Sequence, residues 1–145
     1  MFELIDKNLI FSTLFGQTQE FFPNVYGFRQ RSDLEGGVVA IFEDVIKNND
    51  QIKIFGDGNQ TRDWVDVSDI VIALSLVLDH SDNFRIMNLG SGKKTSINLL
   101  FNYFKNEMLY KKDPLYLKER EGDIKHMVMD CNIAYKYLKW RPKTS

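Results

Sequence analysis

The stretch Ile54-Phe-Gly-Asp-Gly-Asn-Gln-Thr-Arg-Asp-Trp-Val-Asp-Val-Ser-Asp-Ile70 limits the local fold more than any other part of the chain. Its apolar start fits the end of a strand. Gly56-Asp57-Gly58-Asn59 is dense turn chemistry, because glycine reaches positive φ at little cost and Asp and Asn bond their own backbone. Trp64 to Val67 predicts a second short strand. Ser68 predicts the N-cap of an apolar helix from about Ile70 to Leu78, with Asp69 at its positive end. This layout suits holding a flat ring and an anionic group side by side.

On either side, short helices and short strands alternate. Leu4, Ile5, Leu9, Phe11 and Leu14 give helical spacing from Phe2 to Phe15, closed by Gly16. Gln19 to Phe22 reads as a strand stopped by Pro23, and Asn24 to Gly27 and Arg29 to Glu35 read as loop. Gly36-Gly37 opens an amphipathic helix over Val38 to Lys47, with Ile41, Phe42, Val45 and Ile46 on one side. Gln51 to Phe55, Arg85 to Leu89 and Leu115 to Leu117 read as strands, and Gly90-Ser91-Gly92 as a turn. Thr95 or Ser96 caps a helix from about Ile97 to Lys105 or beyond, and Cys131 to Leu138 is a final helix, ended by Trp140-Arg-Pro142. The predicted class is α/β, or α+β for the chain judged alone, in a single domain over 1–145.

The composition narrows the function. The chain has 145 residues and a formal net charge of -1, enough for one core and without a global field toward nucleic acid or a membrane surface. No apolar run approaches the ~20 residues of a membrane span. Met1 to Lys7 lacks the basic-then-apolar layout of a signal peptide. Cys131 is the lone cysteine, which excludes an internal disulfide and a cysteine zinc site, and His80 and His126 stand far apart. A reduced, cytoplasmic setting is the default.

Two loops carry an arginine each. Arg62, just after the glycine turn, can offer a bidentate fork to phosphate; the plainer reading pairs it on the surface with Asp57 or Asp63. Arg120-Glu-Gly-Asp123 sets a second arginine beside a carboxylate that suits vicinal hydroxyls. Asn24 and Asn88 read equally well as turn residues tied to backbone. Gly56/Gly58 and Gly90/Gly92 lack the third glycine of a dinucleotide fingerprint. Tyr135 and Lys139 have Tyr-x-x-x-Lys spacing but sit near the C-terminus without a serine candidate, so the spacing reads as chance. His126 reads as structural or solvent-facing.

Five segments in order resemble the NAD-dependent epimerase/dehydratase family, the extended short-chain dehydrogenases/reductases. They are Phe22-Pro-Asn-Val-Tyr-Gly-Phe-Arg-Gln30, Ile54 to Val65, Met87-Asn-Leu-Gly-Ser-Gly92, Arg120 to Asp123 and Leu138-Lys-Trp-Arg-Pro142. The chain is most similar to the C-terminal, substrate-binding part of the UDP-glucose 4-epimerases. Residues 1–22 resemble the last helix and strand of the Rossmann portion, and 23–145 the nucleotide-sugar-binding portion. Glu20, Pro23 and Phe28 depart from the family's usual pattern around its Phe-Phe-Asn run.

The resemblance implies roles for particular residues. Asn24 matches a contact to the sugar diphosphate. Gly37 and Val38 match a helix start that offers N–H groups to phosphate. Lys53, Ile54 and Phe55 match the strand bordering the nucleotide base. Arg62 and Arg120 match the arginines that clamp the diphosphate, and Asp123 the carboxylate near the ribose hydroxyls. The family's cofactor is NAD, yet its Gly-x-x-Gly-x-x-Gly loop and its catalytic Ser and Tyr-x-x-x-Lys do not occur here. The expectation is a chain that begins after the catalytic lysine, carries no catalytic residue and no metal site, binds a UDP-hexose and is inactive alone. A dTDP-glucose dehydratase, an ADP-heptose epimerase and a non-catalytic binding or scaffold module are the alternatives, and a homodimer is a possible assembly.

Overall fold

The computed structural model describes residues 11–12, 18–33, 37–79 and 85–144. Contacts divide the chain into two units, one built from 1–27, 63–93 and 128–145, the other from 28–62 and 94–127.

The first unit contains β1 (Phe11–Ser12), β2 (Thr18–Phe21), β3 (Asn24–Tyr26), β6 (Trp64–Asp66), α2 (Val67–Asp79), β7 (Arg85–Asn88) and α4 (Asn132–Leu138). Strand β2 runs parallel to β7, Thr18 opposite Arg85 and Phe21 opposite Asn88, with β1 antiparallel on its other side. Strands β3 and β6 form a separate parallel pair, Asn24 opposite Trp64 and Tyr26 opposite Asp66. Parallel neighbours need a crossover, and both pairs are joined through long intervening chain; α2 follows β6 directly and precedes β7. Ile70, Ala73 and Val77, spaced along one face of α2, join Phe22, Val65, Met87, Leu89, Ala134, Leu138 and Trp140 in the core. Lys139 adopts φ 54 and ends α4, and the next residue, Trp140, is buried and donates its indole N–H to the Asp69 carbonyl at 3.1 Å.

The second unit contains α1 (Val38–Lys47), β4 (Lys53–Phe55), β5 (Thr61–Arg62), β8 (Thr95–Ser96), α3 (Ile97–Glu107) and β9 (Leu115–Leu117). Strand β4 pairs parallel with β9 and β5 antiparallel with β8. Its centre is aromatic: Phe42 of α1 meets Phe101 and Phe104 of α3 edge-to-face, at 6.4 and 6.2 Å between centroids. Tyr110 packs on Phe101 and donates its hydroxyl to the Asp50 carbonyl at 2.6 Å.

Most predicted elements are present, and the exceptions have local causes. Residues Asn24 to Tyr26, expected as loop, are a strand because β6 pairs with them. Helix α2 starts at Val67 and not near Ile70: Asp66, not Ser68, serves its start, accepting the N–H of Ser68 at 2.8 Å and its hydroxyl. Asp69 is buried, and its carboxylate accepts the N–H groups of Lys143 and Thr144 at 3.0 and 2.9 Å, so it anchors the C-terminal segment. On α1 the buried residues are Val39, Ala40, Phe42 and Ile46, while Ile41 is exposed. The helix expected from Phe2 to Phe15, with Gly16 as its cap, lies outside the described residues except at Phe11–Ser12, which is strand. Gly36 and His80 also lie outside them.

Candidate functional site

In the second unit, the turn that carries the site is fixed before any ligand is considered. Gly56 and Gly58 have φ of 76° and 74°, a region that favours glycine. At Gly58 there is a second reason: a Cβ would lie 2.0 Å from Asn98 Oδ1. Asn98, in the first turn of α3, donates its amide to the Asp57 carbonyl at 3.0 Å and receives the Tyr116 hydroxyl at 2.9 Å. The Asp57 carboxylate accepts the backbone N–H and side-chain amide of Asn59, at 2.9 and 3.0 Å. Those two bonds hold its carboxyl below the usual carboxylate range. Gln60 reaches back to the Phe55 carbonyl at 2.7 Å. The end of β4 and the start of β5 are therefore tied to α3 and β9 by side chains.

This turn borders a cavity of about 300 Å³, lined by Phe55, Gly56, Asp57, Asn59, Gln60, Glu119, Arg120, Asp123, Ile124, Lys125 and His126. The Arg120 guanidinium lies over the Phe55 ring, 3.8 Å from its centroid. A guanidinium stacked on a ring keeps its N–H groups at its rim, available to an anion. The Asp123 N–H closes the loop onto the Arg120 carbonyl at 3.2 Å, which sets arginine and carboxylate side by side. Arg62 donates to Asp123 Oδ1 at 2.8 Å and to the Thr61 carbonyl at 2.9 Å. Its partner is thus Asp123, and neither Asp57 nor Asp63 as the plainer surface reading had it.

The structure brings together Phe55, Arg120, Asp123 and, through Asp123, Arg62. Lys53 and Ile54 share the strand with Phe55; Lys53 is exposed, whereas the Ile54 side chain is buried in the core and leaves only its backbone for any other role. Gly37 is the N-cap of α1 and Val38 its first residue, with no side-chain cap bond and no acid in the first turn, which leaves the helix start electropositive. Neither lines the cavity. Asn24 belongs to the first unit, where its amide donates to the Asp63 carbonyl at 3.2 Å. Asn88 ties to backbone as expected, donating to the Asp130 carbonyl at 2.9 Å.

Three features were not legible in the sequence. His126 Nδ1 sits 3.0 Å from Thr61 Oγ1 at the cavity wall, beside a parallel bridge between the two residues. Gln60 holds the Phe55 carbonyl. Asp63 is fully buried, with donors on both carboxylate oxygens. An Arg-Asp pair between two short strands hints at the last, since successive residues of extended backbone face opposite ways. Tyr135 and Lys139 make no reductase pair: Lys139 is the left-handed cap of α4, and Tyr135 carries the Arg141 guanidinium 4.2 Å from its ring centroid.

Among the described residues, neither glycine turn fits the pyrophosphate of a dinucleotide. Gly56 and Gly58 lead into strand β5, and Gly90 and Gly92 lead into strand β8, so neither turn delivers a helix N-terminus to a pyrophosphate. Among the described residues, no three His, Cys, Asp or Glu side chains group as a metal site, and no helix is long and apolar enough to cross a membrane.

The NAD dependent epimerase/dehydratase family profile matches residues 21–90. The crystal structure of UDP-glucose 4-epimerase from Thermotoga maritima, with UDP-glucose, superposes with a TM-score of 0.84 at 40% identity, covering 88% of this chain and 41% of that one. UDP-glucose 4-epimerase of Mycolicibacterium smegmatis is 34% identical over 122 residues, 84% of this chain and 39% of the relative. The dTDP-4-dehydro-6-deoxyglucose reductase of Escherichia coli is 31% identical over 124 residues, 82% of this chain and 38% of the relative. The chain therefore spans about two-fifths of the length of the proteins it matches. By sequence and by fold, the chain belongs to the NAD-dependent epimerase/dehydratase family, matching the C-terminal part of its UDP-glucose 4-epimerases.

Proposed function

We propose that this chain supplies the nucleotide-diphosphate grip of an NAD-dependent sugar-nucleotide 4-epimerase, with a UDP-hexose as ligand. The observation that carries the reading is the cluster in the second unit: Arg120 stacked at 3.8 Å on Phe55, with Asp123 holding Arg62 at 2.8 Å. A diphosphate presents pairs of charged oxygens, one pair on each tetrahedral phosphate, that two guanidinium forks match. Asp123, relieved of Arg62 by the phosphate, would accept vicinal ribose hydroxyls. The side chains of Arg62 and Asp123 are 15% and 40% exposed, so the carboxylate is the partner nearer to solvent. In the second unit the N–H groups at Gly37 and Val38 are proposed as further diphosphate contacts, and Lys53, Ile54 and Phe55 as the border of the base; in the first unit Asn24 is proposed, on the family resemblance, as a contact of its own.

Holding the diphosphate and not the hexose leaves the sugar free to turn, which a 4-epimerase requires. Its share of the reaction is positioning. The 145 residues hold no Gly-x-x-Gly-x-x-Gly loop, and among the described residues Tyr135 and Lys139 make no reductase pair, which supports binding without turnover by this chain. The similarity to a dTDP-sugar reductase supports a second reading in which the base is thymine.

Titration calorimetry with UDP-glucose on the 145-residue chain tests the grip, with dTDP-glucose as competitor. Saturable binding is expected, and Arg62→Ala and Arg120→Ala each weaken it by about 1.5–3 kcal/mol, the range for hydrogen bonds to charged groups. Unchanged affinity in both variants, or no saturable heat for either nucleotide, removes the clamp. With NAD added, conversion of UDP-glucose to UDP-galactose by the chain alone would overturn binding without turnover.

A further inference from the structure

In the first unit, Asp63 does two things at once. Its carboxylate Oδ1 accepts the Ser91 N–H at 2.8 Å and the Ser91 hydroxyl at 2.5 Å, and Oδ2 accepts the N–H groups of Gly92 at 2.9 Å and Met129 at 3.1 Å. The side chain is fully buried, and a carboxylate there is tolerable only with its lone pairs taken up, as four donors accomplish. The fit is close on the loop side too: a Cβ at Gly90 would lie 2.8 Å from Asp63 Oδ2.

The main chain of the same residue faces Asn24. The Asp63 carbonyl accepts the Asn24 backbone N–H at 3.1 Å and its side-chain Nδ2 at 3.2 Å. A carbonyl oxygen cannot donate, so the nitrogen of the Asn24 amide must face it, and the orientation of that amide is decided. One Nδ2 hydrogen is used, and Oδ1 points away from the carbonyl. Asn24 thereby meets whatever lies beyond it in one fixed presentation. No other described contact ties the Gly90–Gly92 turn, Met129 and both donors of Asn24 to a single residue.

We infer that Asp63 is a positioning residue: its carboxylate, clamped by the Gly90–Gly92 turn and Met129, fixes the peptide whose carbonyl orients the Asn24 amide, the group proposed to meet the diphosphate of a nucleotide sugar. The diphosphate as target rests on the proposed role of Asn24, and the linkage itself does not. A residue that acts this way contacts no ligand, yet its removal loosens a group on the neighbouring strand through its own backbone.

Amide hydrogen exchange on the full 145-residue chain tests the linkage without a ligand. In Asp63→Asn, which keeps the shape and loses an acceptor, exchange at Ser91, Gly92, Met129 and Asn24 should accelerate together, by about tenfold or more. Acceleration at Ser91, Gly92 and Met129 with Asn24 unchanged overturns the inference. If Asp63→Asn does not fold, Ser91→Ala removes one donor only and should show the same pattern at a few-fold size; Asn24 unmoved in that variant overturns the inference equally. A double-mutant cycle on UDP-glucose affinity separates positioning from mere support. Asp63→Asn should weaken binding about tenfold in the parent chain and not at all in an Asn24→Ala background. Losses that multiply overturn the action through Asn24. A parent chain that fails to bind UDP-glucose condemns the diphosphate reading, while the exchange data still decide the linkage.

Discussion

Arg62 and Asp63 are neighbours in the chain and opposites in every other respect. Arg62 donates to one carboxylate, 40% exposed, across 2.8 Å, and its own side chain is 15% exposed. Asp63 is wholly buried and surrounded by backbone N–H groups and one hydroxyl. A charge held by one half-exposed carboxylate and one carbonyl can be handed to an incoming anion more readily than a charge sealed in main chain. A charge held by the main chain cannot be handed over without unmaking the fold around it. The first arrangement is what a binding site needs, and the second is what a fixed backbone needs.

The two can be set against each other directly. Asp63→Ala leaves the N–H groups of Ser91, Gly92 and Met129 without their acceptor, and the loss of stability should be about 3–5 kcal/mol. Arg62→Ala should cost less than about 1 kcal/mol. Urea denaturation of the two variants beside the parent chain measures both. Equal losses would break the contrast and make Arg62 a structural residue.

Cys131 reports on the same buried region by another route. Its thiol donates to the Gly90 carbonyl at 3.3 Å, and burial, the largest cause, pushes its pKa from the ordinary 9.0 up to about 11. With the folded value above the unfolded one, the thiol's stabilising contribution is complete below 9.0 and is lost as pH rises toward about 11. At pH 8 the folded chain should therefore react with iodoacetamide at least about tenfold more slowly than the urea-unfolded chain, because less of its thiol is thiolate. Equal rates would mean that water reaches the turn as freely as it reaches the Arg120 loop.

These contrasts also mark what could be read from residue order. Strand β9 and helix α1 have the predicted bounds, since Leu115 to Leu117 and Val38 to Lys47 sit between strong breakers. Ser96 caps α3 through a bond to the Leu99 N–H at 3.1 Å, as its position implied. Asn24 to Tyr26 was not legible as strand, because the partner that makes it one lies 40 residues on, at Trp64 to Asp66. At the site, both arginines and Asp123 stood out by charge and loop chemistry, and the structure gathers them. What stayed hidden was pairing: Arg62 with Asp123 and Arg120 with Phe55 join residues 61 and 65 positions apart. Charge shows in a sequence, but the partner that holds it is set by tertiary contact.

The Arg120–Phe55 stack gives the finest test of how an exchangeable site is held in place. If the ring serves as a platform, its contribution to ligand binding is the cost of letting the guanidinium wander, and an exposed cation–π contact is worth about 0.5–1 kcal/mol. Phe55→Leu keeps an apolar residue at the end of β4 and removes the π face, so UDP-glucose affinity should fall about two- to fivefold. Phe55→Trp should hold the parent affinity, since indole is the better platform. Calorimetry of both variants beside Arg120→Ala ranks the terms: the arginine should matter more than the ring beneath it. A loss in Phe55→Leu as large as that in Arg120→Ala would place the ring against the nucleotide itself. No loss at all would leave Arg120 held by the Arg120–Asp123 turn alone, whose 3.2 Å backbone bond survives every one of these substitutions.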